Sequence, residues 1–172
     1  MSQELRYMDA AEVDQISERL SEVLVRINRS AAVVKGGRRF SFSALSVCGN
    51  RDGVVGLGYG KGRQVPSAIE KAARDARKHL IRVPVNDQGS IPHEVEASYC
   101  GSLIRIIPAS SGTGIIAGAS ARAVCEMAGI KNILTKSYGS NNPVNLVKAT
   151  LVALSRLRTR QEVADLRGVA ID

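Results

Sequence analysis

Phe40 and Phe42 alternate with serines, and Val55, Leu57 and Tyr59 alternate with Gly56, Gly58 and Gly60. "RRFSFSALSVCG" is rich in aromatic and β-branched residues, "NRDG" supplies a turn and "VVGLGYG" a second run, so a β-hairpin is expected. Upstream, Val13, Ile16, Leu20, Val23 and Ile27 recur near helical spacing, yet Val23, Val25 and Ile27 also alternate with Leu24, Arg26 and Asn28. Both templates fit, and a short helix followed by a strand is expected. "VPSAIEKAARDARKHLIRV" predicts a helix, with Pro66 where a missing N–H costs nothing and with Ile69, Ala72, Ala73, Ala76 and Leu80 on one face. "VPVNDQGSIPH", residues 83–93, concentrates turn formers and reads as a boundary between two domains.

Beyond that boundary, "HEVEASYC" and "SLIRIIPA" read as a strand pair and "SARAVCEMAG" as a helix closed by Gly129. "KNILTKSY" reads as a strand, and "NPVNLVKATLVALSRLR" as a helix opened by Asn142-Pro143. The order ββαβα after a hairpin and helix makes this an α+β chain.

Glycine occupies every second position of "GLGYGKGR", residues 56–63. A phosphate-cradling Walker loop would need glycine at Val55 and a hydroxyl at Gly62, and a dinucleotide fingerprint would need a small residue at Lys61, so neither pattern is present. On a strand, Gly56, Gly58, Gly60 and Gly62 instead leave one face bare, which implies that RNA or a neighbouring element lies against it near Lys61 and Arg63. Gly112-Thr113-Gly114 with Ala117 does fit G-x-G-x-x-A, but no acid follows between Glu126 and Glu162 to hold a ribose. A nucleotide-binding enzyme using that turn is the alternative reading. His79 and His93 lie in no nucleophile or metal spacing, and Glu94 and Glu96 read as solvent-facing. No cofactor or metal is expected. Cys48, Cys100 and Cys125 are odd in number and far apart, and are expected as buried free thiols.

The charge is uneven. Overall it is +8, with residues 1–22 at −4, residues 23–82 at +10 and residues 83–172 at +2. A domain that basic usually meets a polyanion. No apolar run nears the roughly 20 residues needed to span a bilayer, and the N-terminal residues are acidic rather than signal-like, so a cytosolic protein without a membrane partner is expected. No acid occurs between Glu22 and Asp52, where Arg26, Arg29, Lys35, Arg38, Arg39 and Arg51 accumulate around Gly36-Gly37. Two glycines beside such cations suit a phosphate contact. Lys71, Arg74 and Lys78, with Arg77 nearby, make one helix face cationic, and Lys131, Lys136, Lys148, Arg156, Arg158 and Arg160 fall in a second acid-free run. With only Tyr7, Phe40, Phe42, Tyr59, Tyr99 and Tyr138 as aromatics, folded RNA read by shape and backbone suits the composition better than stacked single strands.

Two long stretches, "INRSAAVVKGGRRFSFSALSVCGNRDGVVGLGYGKGRQVPSAIEKA" and "GTGIIAGASARAVCEMAGIKNILTKSYGSNNPVNLVKAT", closely resemble the small ribosomal subunit protein five family in its bacterial form, in order and from about Leu20 to Arg158. The resemblance implies a double-stranded-RNA-binding-like domain over residues 20–83, a three-stranded antiparallel sheet plus helix. It also implies a β-α-β-type domain with a left-handed crossover over residues 93–158. Residues 1–19 would form an extension, 84–92 a linker and 159–172 a tail. It resolves residues 20–34 in favour of strand. It further implies a cytoplasmic ribosomal protein that binds small-subunit ribosomal RNA and supports subunit assembly. Its neighbours would be ribosomal proteins three, four and eight. It would line the channel where mRNA enters and influence decoding accuracy. By the same resemblance, the loop with Asn28, Arg29, Lys35, Gly36, Gly37 and Arg38 reaches RNA in the spectinomycin region. Gly112, Thr113 and Gly114, with Lys136 and Asn141, would supply further contacts, alongside Arg26, Arg39, Lys61 and Arg63. One departure stands out: the family commonly carries a lysine where this chain has Ala32, so an altered loop contact and drug response are expected.

Overall fold

The computed structural model describes residues 7–9, 12–13, 16 and 19–169. Four strands, β1 (Ser21–Val34), β2 (Gly37–Gly49), β3 (Val54–Gly62) and β4 (Leu80–Arg82), form an antiparallel sheet in the order β1-β2-β3-β4, with helix α1 (Val65–Lys78) on one face. A second sheet has the order β5-β6-β8-β7, from β5 (Val95–Tyr99), β6 (Ser102–Pro108), β7 (Ile115–Ile116) and β8 (Ile133–Gly139). Helices α2 (Ala119–Met127) and α3 (Pro143–Ser155) pack with it, and α4 (Arg160–Arg167) follows. The protein is α+β.

The bare glycine face is covered by the chain's own helix. A Cβ at Gly58 would collide with the Ala72 carbonyl oxygen, and one at Gly60 with that of Ala68. At Gly56 it would meet the Ala76 carbonyl oxygen at 2.5 Å. Ala68, Ala72 and Ala76, the innermost residues of α1, are fully buried. Alanine every fourth residue on the helix meets glycine every second residue on β3, so two backbones come closer than any larger pair would allow. The sequence required something pressed against Gly56–Gly62; the occupant is α1, and RNA is not needed there.

The helical pattern through Leu80 misleads at its end. Helix α1 stops at Lys78, and Leu80–Arg82 turns back to pair with Val54–Gly56, giving the sheet a fourth strand beyond the three expected. Leu80 is buried either way, and only pairing with β3 decides its backbone. The expected N-terminal helix rests on Val13 and Ile16, which are helical; the rest of it lies largely outside the described residues. Residues 21–34 are strand throughout.

The sheet's other face, with Leu45, Val47 and Val55, shares one hydrophobic cluster with Ile104, Ile106, Val124, Met127, Ile133 and Leu154 from the second sheet and its helices. Residues 83–93 cross between the sheets with Val83, Ser90 and Ile91 buried, and Ser90 Oγ accepts the Ala109 N–H at 3.1 Å. The predicted β2–β3 turn is an Asx turn: Asn50 Oδ1 accepts the N–H groups of Asp52 and Val54 at 2.8 and 3.0 Å.

Helix α2 ends as expected at Gly129, whose φ of 82° allows Gly129 N–H to reach Glu126 O and Ile130 N–H to reach Cys125 O, a Schellman closure. Asn142 caps α3 by accepting the Val144 N–H at 3.1 Å. β7, α2 and β8 form a β-α-β unit with Ile115 and Ile116 parallel to Ile133 and Leu134. The two-residue β7 is too short for any periodicity to announce. In the expected tail, Thr159 and Glu162 form a reciprocal capping box that starts α4.

Candidate nucleic-acid interface

The β1–β2 hairpin runs far past the sheet. The pairing continues to Val34 opposite Gly37, and residues 26–41 are exposed without exception. Within this arm, residues 26–41, Arg26–Arg29 lie opposite β2 residues that also pair with β3, and the five residues from Ser30 to Val34, at about 3.3 Å each, reach about 15 Å past the end of β3. A bulge lies at its base, where Leu24 faces Ser46 and Arg26 faces Leu45 with Val25 between. Bulges bend a strand and sharpen its twist, which aims the arm.

Cross-strand register sorts the arm's residues into two faces. One holds Ile27, Arg29, Ala31, Val33, Arg38, Phe40 and Phe42, and the Arg29 guanidinium sits 4.9 Å over the Phe40 ring. The other holds Arg26, Asn28, Ser30, Arg39, Ser41 and Ser43, with Lys61 opposite Ser43 on β3. Lys35 and Gly36 form the turn, and Gly36 takes φ 86°. Nothing lies within 4 Å of a Cβ built at Gly36 or Gly37. Gly36 is needed for its backbone angle, whereas nothing within the chain requires glycine at position 37.

Two concavities flank the arm. Arg26, Asn28, Leu45, Asn141, Asn142 and Pro143 enclose about 330 Å³ at its base, where Arg26 Nε donates to Asn28 Oδ1 at 3.1 Å. Nearer the tip, Ala32, Arg39, Phe40, Ser41 and Arg63 enclose about 690 Å³. The structure thus joins Arg26 and Asn28 to Asn141, and Arg39 to Arg63, although these pairs are far apart in sequence. Lys61 lies with its Nζ 5.8 Å from the Tyr59 ring centre. Gly112, Thr113, Gly114 and Lys136 line neither concavity. Lys136 is exposed on β8 opposite Arg105.

The Gly112–Gly114 turn is closed inward. Gly112 and Gly114 both donate their N–H to Asn132 Oδ1 at 3.1 Å, and Thr113 N–H reaches Ser110 O at 3.2 Å. Asn132 is 5% exposed and its Nδ2 donates to Gln88 O at 3.0 Å. The amides that would cradle a nucleotide phosphate are already engaged. The sequence reading missed Asn132, whose only local signal was an asparagine preceding a strand.

Among the described residues the ion pairs are Arg77 with Glu22 (2.9 Å), His79 with Asp75 (3.4 Å) and Arg105 with Glu94 (2.9 Å), so every cation of the arm is without one. His93 Nε2 accepts the Arg158 N–H at 3.1 Å, and His79 Nδ1 lies 2.9 Å from the Asp75 carbonyl oxygen. Burial pushes the Cys48 and Cys125 thiols up to about 12, which keeps them protonated and inert. Cys100 departs from expectation. It is exposed at the β5–β6 turn with φ 51°, because that hairpin's two-residue loop carries it out of the core. Among the described residues no three His, Cys, Asp or Glu side chains could hold a metal ion, and no helix is long and apolar enough to cross a membrane.

An α+β fold whose protruding arm carries cations without an ion pair among the described residues suits the class of RNA-binding proteins found in ribonucleoprotein particles. Family models described as "Ribosomal protein S5, N-terminal domain" and "Ribosomal protein S5, C-terminal domain" match residues 20–84 and 97–167. The chain belongs to the ribosomal protein S5 family. It is 57% identical over 153 residues to "Small ribosomal subunit protein uS5" of Rhodopirellula baltica, covering 89% of this chain and 86% of that one. The proteins of the same name from Shewanella amazonensis and Shewanella baltica are 47% identical over 165 residues and 48% over 158; the first comparison covers 96% of this chain and 98% of that protein, the second 92% and 94%.

Proposed function

We propose that the chain is a structural, non-enzymatic constituent of the small ribosomal subunit in the cytoplasm, holding ribosomal RNA through the β1–β2 arm. The observation that carries this reading is the arm itself: residues 26–41 are exposed on both faces, with five cations and no acid. A hairpin of that shape gains no core in the free protein, and its charges suit evenly spaced phosphates. Gly37, which the fold does not require, leaves room for a backbone to approach the tip. Arg26, Asn28 and Asn141 form a contact at the base, with Arg39, Lys61 and Arg63 above it. Thr113, Lys136 and the outer edge of the Gly112–Gly114 turn add a surface from the second sheet.

The family resemblance extends the proposal to subunit assembly, to ribosomal proteins three, four and eight as neighbours, and to the mRNA channel and decoding accuracy. Residues 20–83 and 93–158 would act as its two RNA-handling domains. Ala32, beside Arg39 in the upper concavity, removes one cation from the arm and alters its contact and the response to spectinomycin. The nucleotide-enzyme alternative finds no support in a turn whose amides bond Asn132 and Ser110.

Two measurements test the proposal. In sedimentation of cell lysate the chain should travel with the small subunit, and finding it only at the top of the gradient would reject the reading. Lys35→Ala with Arg38→Ala should weaken binding to small-subunit ribosomal RNA and reduce the log–log salt slope by about 1.5–2. An unchanged slope would remove the tip from the contact.

A further inference from the structure

His93 stands where the chain that crosses between the sheets enters the second one, just ahead of β5. Its half-buried ring is engaged at both nitrogens, and both partners are backbone groups. Nε2 accepts the Arg158 N–H at 3.1 Å, and Nδ1 lies 2.9 Å from the Glu94 carbonyl oxygen. A ring nitrogen that accepts carries no proton, so the single proton of the imidazole sits on Nδ1 and is donated to Glu94 O. Only the neutral ring in that tautomer satisfies both contacts. The bond to Arg158 joins positions 65 residues apart. Arg158 follows Leu157, the last buried residue among those described, and precedes Thr159, which caps α4. Helix α4 buries none of its own residues, so the contacts at its start set where it leaves the body.

The charged groups of the surrounding elements have other partners or face solvent. Glu94 pairs with Arg105 of β6 at 2.9 Å, Arg156 donates to the Glu96 carbonyl oxygen at 2.8 Å, and Glu162 of α4 accepts the Thr159 N–H at 2.9 Å. Glu96, Arg158 and Arg160 are exposed, and among the described residues no carboxylate forms an ion pair with the His93 ring. A second proton on the ring would gain no counter-charge at that distance, and the new Nε2–H would point at the Arg158 N–H. Two donors cannot share a contact of 3.1 Å. His79 is the contrast: its Nδ1 faces the Asp75 carbonyl oxygen at 2.9 Å and Asp75 Oδ1 at 3.4 Å, so a proton there sets no donor against a donor.

We propose that His93 is a pH-sensitive latch: neutral, it ties the chain entering α4 to the start of the second sheet, and on taking a proton it lets that chain go. Histidine is the side chain whose charge changes nearest to physiological pH. The latch is therefore closed at higher pH and opens as pH falls. Arg158 is exposed, so its released N–H turns to water and α4 comes away without the core being disturbed. The device concerns the attachment of α4 and is independent of the RNA-binding arm.

Solution NMR of the full chain between about pH 8 and pH 5 tests this. The Arg158 amide should shift with the midpoint of the His93 ring, and its exchange protection, corrected for the intrinsic effect of pH, should fall roughly tenfold, the scale of one hydrogen bond. Backbone order parameters across α4 should fall over the same range. His93→Gln keeps an acceptor oxygen but cannot titrate, so its Arg158 amide and α4 should be unchanged with pH. His79→Gln should respond like the unchanged chain. An Arg158 amide that ignores the His93 titration, or a response that survives in His93→Gln, overturns the proposal. Lost protection at Arg158 with α4 as ordered as before also overturns it, since the contact would then hold nothing in place. Should His93→Gln fail to fold, His79→Gln leaves His93 as the chain's one histidine, and the Arg158 titration in that variant decides.

Discussion

Gly58→Ala offers a direct measure of how tightly α1 lies on β3. The added methyl group would meet the Ala72 carbonyl oxygen and the Ala76 amide nitrogen, with the Ala76 Cβ at 2.8 Å. Two of these are backbone atoms of a helix interior and cannot rotate away, so α1 must lift by on the order of 1 Å, forfeiting a quarter to a half of the dispersion contact along Ala68, Ala72 and Ala76. Overpacking of this kind costs about 1–3 kcal/mol, and rigid backbone puts this site at the upper end. Alanine's smaller conformational entropy loss in a strand returns about 0.5–1 kcal/mol. A net loss of about 2 kcal/mol corresponds to a fall of about 4–8 °C in Tm for a chain of this size. Gly37→Ala is the control, since its φ is not left-handed and nothing lies within 4 Å. It should melt within about 2 °C of the unchanged chain. Circular dichroism melts of the two variants decide the matter. If Gly58→Ala melts with Gly37→Ala, the close approach of α1 to β3 is refuted.

Ser46 Oγ is buried without a hydrogen-bond partner opposite Gly58, so Ser46→Ala should be neutral or stabilising by up to about 1 kcal/mol in denaturant unfolding. Asn132→Ala strips the acceptor from Gly112 and Gly114 and should cost about 2–3 kcal/mol, with faster hydrogen exchange at those two amides. Iodoacetamide at pH 8 should label one thiol of the native chain, Cys100, and all three after unfolding; mass spectrometry of the peptides reads this directly. The raised thiols also fix a sign with pH. The folded values near 12 lie above the ordinary 9.0, so their contribution is complete below pH 9 and is lost as pH rises toward 12. Cys48→Ala with Cys125→Ala should therefore lose less Tm between pH 9 and pH 11 than the unchanged chain.

Much of the architecture was legible because local chemistry and tertiary need agree at the same residues. Asn50 closes a turn, Gly129 ends a helix and Asn142 opens one, each through bonds within a few residues of itself. The bare face of Gly56–Gly62 declared that something must cover it, but a strand pattern cannot name its cover; alanines at 68, 72 and 76 hold the other half of that statement. Leu80–Arg82 was misread because burial at Leu80 satisfies helix and strand alike, and Cys100 because cysteine's preference for cores yields to a two-residue loop. The short β7 carries too few residues to show a period, whereas the Thr159–Glu162 box was readable and passed over. Of the candidate site, the arm's cations stood out as an unbroken basic run. The meeting of Arg26 and Asn28 with Asn141 did not, since it depends on how the two sheets pack.

The arm also bears on what happens to copies made in excess of RNA. Beyond Arg29 and Phe42, where β3 ends, the hairpin is two-stranded with solvent on both faces and is marginal by itself, since no third strand or core supports it. In the free chain this exposed segment is open to proteases, and trypsin has Arg29, Lys35, Arg38 and Arg39 to choose from. The same residues that suit phosphate would thus mark an orphan subunit for removal, and docking on RNA would hide the mark.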